Sequence, residues 1–421
     1  MPYRYRVLAL LFCLVLVMYL DRLCIAVAGP RMQHDLHLSP AEWGWVIAAF
    51  TLAYTLFEVP SGILADRVGP RKVLTRIVLW WSAFTCLTGA ATGLYSLLAI
   101  RFLFGAGEAG AFPNCACAIS RWVPPSERAR ANGVFWTATA VGGALTPLLV
   151  VWIEQRYSWR MAFALFGLVG VFWAALWYAW FRNSPWEMAA VPAAERERIG
   201  HPPAPREARV PWSRLLRNRN FQRILVMYHA YCWGAYFYLS WLHTYLQVGR
   251  GLTEDQMKIA SSVPFWAGLL GILAGGYGSD LLSRRYSLRV ARCGIGSVAL
   301  LASGVCLLAA TVCANIAWVV GLLTIGLGVM TASLPVSWSV CVDVGQEHAG
   351  TISGAMNMAG QAGSLISSVA FGYLVEWLGS YDRALVPLGA MLLVGGVTFA
   401  LIDPAEKVLE GEPRAALAIQ E

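Results

Sequence analysis

Apolar runs recur along the whole chain, separated by short segments rich in Gly, Pro and basic residues. Twelve are long enough to cross a bilayer, near 7–29, 43–65, 73–92, 96–119, 133–153, 161–181, 221–246, 257–279, 290–312, 315–340, 350–375 and 384–402. Backbone groups in hydrocarbon need partners within their own segment, so each run is predicted to be a helix. The longest polar stretch, rich in Pro, Arg and Glu, separates six runs from six. The expected class is therefore an all-α membrane protein with twelve transmembrane helices in two six-helix bundles. The expected divisions are a first bundle over 1–182, a cytoplasmic linker over 183–220, a second bundle over 221–403 and a cytoplasmic tail over 404–421.

Composition agrees. Of all residues 58% are hydrophobic and 13% are charged, against about 25% charged in soluble chains. The net charge of +8 could suit nucleic acid, but its placement reads as topology. Arg31, Arg156, Arg160, Arg250, Lys258 and Arg383 fall in outer loops and Arg22 and Arg101 within spans. All other Lys and Arg fall in segments placed in the cytoplasm when both termini are inside. That bias predicts an N-in, C-in protein of a cell membrane, a bacterial inner membrane by its character, with no nucleic-acid partner. No cleavable signal pattern opens the chain. The ten cysteines are scattered without a CxxC and read as packing residues, not a disulfide framework or metal site. No phosphate loop or nucleophile triad is visible, so an enzyme is not expected, nor a cofactor.

Four charges inside the first and fourth runs carry the chemistry. Asp21 and Arg22 adjoin in VLALLFCLVLVMYLDRLCIAVAG, and Arg101 and Glu108 lie in LYSLLAIRFLFGAGEAGAFPNCACAIS. Each costs roughly 2.5–3.5 kcal/mol at mid-membrane, so such charges usually line a polar cavity. Arg101 and Glu108 are two turns apart and share a helix face. An arginine fork matches carboxylate or phosphate, and a buried carboxylate can carry a proton. Successive residues point about 100° apart, so Asp21 is expected to pair across to Arg101 and not with its neighbour. The competing account, a purely structural ion-pair cluster, has to bear four desolvated charges. Glu58 is also intramembrane, either as a further proton site or bonded to nearby backbone. The second half carries no Arg, Asp or Glu mid-span, only aromatic, hydroxyl and amide groups. Asn357 and Gln361, four apart, could both face a cavity or could join helices. His229 reads as a satisfied core histidine. Trp43, Trp45, Trp80, Trp81, Trp177, Tyr178 and Trp180 read as interface anchors.

An internal echo supports two related halves. SGILADRVGPRKVL follows the second run and GGYGSDLLSRRYSL the eighth, with Asp66 and Asp280 in matched places. The first loop resembles the signature of the major facilitator superfamily, which implies that Asp66, Arg67, Arg71 and Asp280 form a cytoplasmic gate. YLDR in the first run, with Arg101, Glu108, Pro113 and Asn114 in the fourth, resembles the anion:cation symporter family. That family includes bacterial galactonate and hexuronate carriers, sialin and the vesicular glutamate transporters. The resemblance implies that Arg22 holds a substrate carboxylate and that Asp21 and Glu108 take the protons. Arg101 would be the neighbouring cation, and Tyr19, Tyr54, Ser337, Trp338 and Asn357 would line the cavity. Two departures stand out. Phe104 occupies a place where animal members tend to carry a second acid, which favours the bacterial sugar-acid branch. His243 replaces a common proline; it is either a substrate- or pH-sensitive group or, more plainly, a polar residue at the water interface.

The expected function is proton-coupled uptake of an organic anion, a sugar acid or similar carboxylate, by a monomer in the lipid bilayer. The proton is the coupling ion. Rival readings are an organic-anion or phosphate-ester exchanger, which needs no proton site, an anion exporter, and a transporter-like solute receptor, for which the tail after Pro404 is short.

Overall fold

A computed structural model describes residues 2–124, 127–200, 212–345 and 349–406. Every predicted run is helical. The first half comprises α1 (Tyr3–Leu36), α2 (Pro40–Val68), α3 (Pro70–Thr88), α4 (Leu94–Glu108), α5 (Ala111–Trp122), α6 (Arg128–Arg156) and α7 (Trp159–Trp180). After α8 (Ala193–Ile199) and α9 (Trp212–Arg217) come α10 (Arg219–Tyr236), α11 (Leu242–Thr244), α12 (Glu254–Ser283), α13 (Ile295–Val312), α14 (Ile316–Gly345), α15 (Ala349–Leu378) and α16 (Tyr381–Ala400). Eight helices among the described residues are long and apolar enough to cross a membrane.

Local chemistry sets the ends. Asn218 caps α10 through Phe221 N, Ser380 caps α16 through Arg383 N, and Thr253 with Gln256 forms a capping box on α12. Two irregularities among the runs bear on the site. The run over 96–119 breaks at Ala109 (ψ 135°) and Gly110 (φ 86°), between α4 and α5. A Cβ on Gly110 would lie 2.3 Å from Ser61 Cβ, so both the positive φ and the close approach require glycine. The seventh run carries π-helical turns over Phe237–Trp241 and Tyr245–Gly249, on either side of α11. Each wider turn shifts the helical phase, a feature common at functional sites.

The first part of the linker is docked, not a free tether. Glu195 of α8 accepts hydrogen bonds from Tyr3 N and Arg4 N, 3.1 Å each, and from Arg4 Nη1 at 3.2 Å. A carboxylate on these orphan N–H groups is a favourable helix cap.

The buried core has two parts. One joins both halves around the C-terminal part of α1 (Leu23 to Met32), Trp43, Phe237, Trp241 and Phe371. The other lies within the first half, around Val7 to Met18, Trp81, Trp122 and Trp177. Polar contacts between the halves also gather where α1 ends. Arg31 Nε donates to Glu254 Oε1 (2.7 Å), Gln155 Nε2 to Asp255 Oδ1 (3.0 Å) and Ala41 N to Glu376 Oε1 (2.9 Å). The halves are thus fastened at that end.

The interface-anchor expectation fails for Trp43, Trp81 and Trp177, which are fully buried between helices. It fits Trp45, Trp80 and Tyr178, which are exposed.

Candidate functional site

The close packing of α4 against α2 sets the position of Arg101. A Cβ on Gly105 would stand 2.4 Å from Phe50 O, so only glycine lets the helices come this near. One turn earlier Arg101 is 3% exposed. Its guanidinium lies 5.0 Å from the Phe50 ring centroid and 4.8 Å from that of Phe104. No ion pair or hydrogen bond to Arg101 occurs among the described residues, and its Nε is buried and unpartnered.

Arg22 approaches from α1. Its Nε donates to Glu108 Oε1 in an ion pair whose carboxylate is completely buried. Glu108 is the last residue of α4, where the helix dipole disfavours a carboxylate, so Arg22 supplies the compensating charge. An aromatic cage holds the guanidinium. It lies 4.8 Å from the Tyr54 centroid, 5.1 Å from Phe50, 5.7 Å from Phe112 and 5.9 Å from Tyr19. Such cation–π contacts gain weight when the cation is desolvated. Arg22 Nη2 and Tyr54 Oη remain without hydrogen bonds.

Asp21 points elsewhere. It is 2% exposed, and neither carboxylate oxygen has a hydrogen bond among the described residues. The expected Asp21–Arg101 ion pair does not form. The pair that does form is Arg22–Glu108. Asp21 remains in the electrostatic reach of Arg101 and Glu108, with the Trp81 indole nearby.

Tyr19, Arg22 and Arg101 line one cavity of about 30 Å³. By the measure in which one water needs about 10–15 Å³, it holds two or three waters. The second half contributes Tyr236, Leu239 and Ser240, at the first π-helical turn. These residues were not predicted; the aromatic run GAYFYLSW was the available signal, but its phase depends on the π turn.

Of the other residues expected at the site, Tyr54, Ser337, Trp338, Asn357 and Gln361 are not among those that line this cavity. Asn357 Nδ2 donates to both oxygens of Glu58, at 3.1 and 3.2 Å, tying α15 to α2. Glu58 therefore meets a side chain of the opposite half, not local backbone. Gln361 Oε1 accepts from Tyr236 Oη at 3.4 Å, one residue removed from the cavity. Ser337 is fully buried, donating to Ser333 O (2.8 Å) and reaching Met227 Sδ (3.7 Å). Trp338 lies 6.4 Å from Trp136 across the halves, with its indole N–H unpartnered. His229 is satisfied, Nδ1 toward Ala359 O (3.1 Å) and Nε2 accepting from Trp233 Nε1 (3.0 Å). His243 is not at a water interface. It is completely buried, with neither ring nitrogen hydrogen-bonded among the described residues.

At the opposite end from the fastened one, Arg71 donates to Tyr178 O through Nε (3.0 Å) and Nη2 (2.7 Å). Asp280 accepts from Arg292 Nη1 at 3.2 Å. The side chains of Asp66 and Arg67 lie outside the described residues. No group of His, Cys, Asp and Glu suited to a metal ion occurs among the described residues.

The chain is similar to known proteins in sequence and in fold. The chain is 34% identical to the probable sulfoacetate transporter SauU of Cupriavidus necator, over 95% of this chain and 94% of the relative. It is 32% identical to the D-galactonate transporter of Escherichia coli O6:H1, over 95% of each. It is 29% identical to the hexuronate transporter of Bacillus subtilis, over 93% of this chain and 91% of the relative. A bacterial homolog of the human lysosomal transporter Spinster, in an inward-facing and unoccupied conformation, matches the fold. Its TM-score is 0.77 at 18% identity, covering 95% of this chain and 97% of that one. The family model of the Major Facilitator Superfamily matches residues 11–368. The chain is therefore a member of the Major Facilitator Superfamily, a multi-pass membrane transporter and not an enzyme.

Proposed function

We propose that the protein carries an organic acid into the cell with protons, by alternating access of its two helical halves around the Arg22–Arg101 cavity. One observation carries this reading: a completely buried carboxylate, Glu108, is the ion-pair partner of a cavity-lining arginine. An anion that binds Arg22 competes with Glu108, and protonating Glu108 removes the competitor. Proton and anion therefore enter together. The relatives named for sulfoacetate, galactonate and hexuronate support an organic acid as substrate.

Both termini lie inside in this reading. The fastened end of the halves then faces outward, and the cavity is closed to that side by Arg31–Glu254 and the shared core. Release of acid and proton inward restores Arg22–Glu108, and the empty carrier resets. Asp21 supplies a second proton site whose charge acts on Arg101. Two protons make transport electrogenic with a monoanion, at about 2.3 kcal/mol per charge from each 100 mV, and electroneutral with a dianion. The cytoplasmic gate formed by Asp66, Arg67, Arg71 and Asp280 opens in the same cycle, and the unit is a monomer.

Uptake of labelled sulfoacetate and galactonate into proteoliposomes, with and without an inward proton gradient, tests the reading. Accumulation above equilibrium only with the gradient is expected. Equal uptake in both conditions would point to the exchanger.

A further inference from the structure

The cavity holds two guanidinium groups, but among the described residues only one of them has an ion-pair partner. Arg22 is paired with Glu108, whereas Arg101, 3% exposed, has no acidic partner among the described residues. Both flank the same ring. Their separations from the Phe50 centroid, 5.1 Å and 5.0 Å, cap the distance between the two Cζ atoms at their sum, about 10 Å. Each guanidinium holds an anionic carbon or sulfur roughly 4 Å from its own Cζ. In-line binding between the two therefore leaves at most about 2 Å between the anionic centres, so only the shortest spacer suits the pair.

The rest of the lining limits the body of the ligand. Apart from the arginines, its polar residues are Tyr19, Tyr236 and Ser240, and the others are apolar. The amide that would serve a polyhydroxylated chain, Asn357, is engaged by Glu58.

Resting on the proposed organic-acid transport, we infer that the preferred substrate is a compact dianion. Its two acidic groups, carboxylate or sulfonate, are separated by a single carbon, with one on Arg22 and the other on Arg101. Once Glu108 and Asp21 take protons, two positive charges face the cavity and match the two negative charges of the ligand. Arg101 is then the residue that distinguishes a dianion from a monoanion of the same length.

Binding of defined acids to the purified full-length protein tests this, by calorimetry and by thermal stabilisation. The probes are sulfoacetate and malonate as compact dianions, the monomethyl ester of malonate as the monoanion of matched length, galactarate as a six-carbon dianion and galactonate as a six-carbon monoanion. The compact dianions are expected to bind about tenfold or more tighter than the other three. Arg101→Gln is expected to abolish the preference for malonate over its monomethyl ester. Galactonate or galactarate binding as tightly as sulfoacetate would overturn the inference while leaving organic-acid transport standing. So would a dianion preference that survives in Arg101→Gln. Binding of no acid in the set would remove both. The wild-type series decides the question even where the variant fails to fold.

Discussion

Glu108 meets Arg22 through one carboxylate oxygen only. Oε1 accepts from the guanidinium, and Oε2 is buried without a hydrogen bond among the described residues. The two residues are 86 positions apart in the chain and come from two different helices, α1 and α4. A half-satisfied buried carboxylate is held by its ion pair alone, so any change in the charge of Arg22's surroundings is felt at Glu108. That coupling is the physical basis of the transport cycle proposed above.

Arg22→Ala should remove anion binding. The ligand loses a caged, desolvated cation, and Glu108 is left buried without its partner. Loss of a buried charge pair of this kind corresponds to about 100-fold or more in affinity. Arg22→Lys should recover part of it, since a point charge cannot reproduce the planar fork. Ligand-induced thermal stabilisation of the purified variants reads both effects. Unchanged stabilisation in Arg22→Ala would place the anion elsewhere.

Asp21→Asn should keep folded protein and keep binding. Neither oxygen of Asp21 makes a hydrogen bond that the amide would break, and the substitution is nearly isosteric. The pH dependence of anion binding should flatten, because protonation at Asp21 is no longer linked to Arg101. A titration of binding against pH in wild type and variant checks this. An unchanged profile would leave Asp21 with no part in coupling.

Gly105→Ala should destabilise the protein by about 1–3 kcal/mol. The added methyl meets the Phe50 carbonyl, a backbone atom that cannot rotate away. It pushes α4 from α2 and moves Arg101 off the Phe50 ring, so affinity should fall with stability. A thermal midpoint equal to wild type would contradict the packing described.

Glu195→Ala should lower the thermal midpoint, because Tyr3 N, Arg4 N and the Arg4 guanidinium lose their acceptor. Leaving such donors unsatisfied costs about 1–3 kcal/mol. Glu127 sits on the other side of Arg4, at 3.0 Å. Desolvation opposes its ionisation, but hydrogen bonds from Arg4 and Tyr5 and the charges of Arg4 and Arg198 outweigh it and hold it below the usual carboxylate range. Its contribution is therefore complete above the unfolded value of about 4.3 and is lost as pH falls through the lower folded value. Thermal melts between neutral and acid pH should show a smaller acid loss in Glu127→Gln than in wild type.

Which parts of this were legible in the sequence follows from where the information sits. Asp21, Arg22, Arg101 and Glu108 stood out because charge in an apolar run is costly wherever the run is placed. The all-helical character of the chain followed from the length and apolar make-up of the runs. The pairing of the four charges did not follow. Arg22 with Glu108, instead of Arg101 with Asp21, depends on how α1 lies against α4, a tertiary relationship that periodicity does not show. Glu58 with Asn357 depends on how two halves meet, which no local pattern encodes. Trp43 looked like an interface anchor because aromatic residues near span ends usually are. It is buried because Gly29 leaves room for its ring, 2.9 Å from where a Cβ would stand. Tyr236 and Ser240 entered the cavity through a π-helical turn that shifts the face of the seventh run.

The central claim is that Glu108 links the proton to the anion. Glu108→Gln in proteoliposomes tests it most directly, with the same labelled acid measured in two modes. Gln keeps the shape of the protonated acid and cannot ionise. Exchange of labelled for unlabelled substrate, without a gradient, should continue at a rate near that of wild type. Accumulation driven by an imposed pH gradient should be lost. Proton-driven accumulation at the wild-type level in Glu108→Gln would contradict the account.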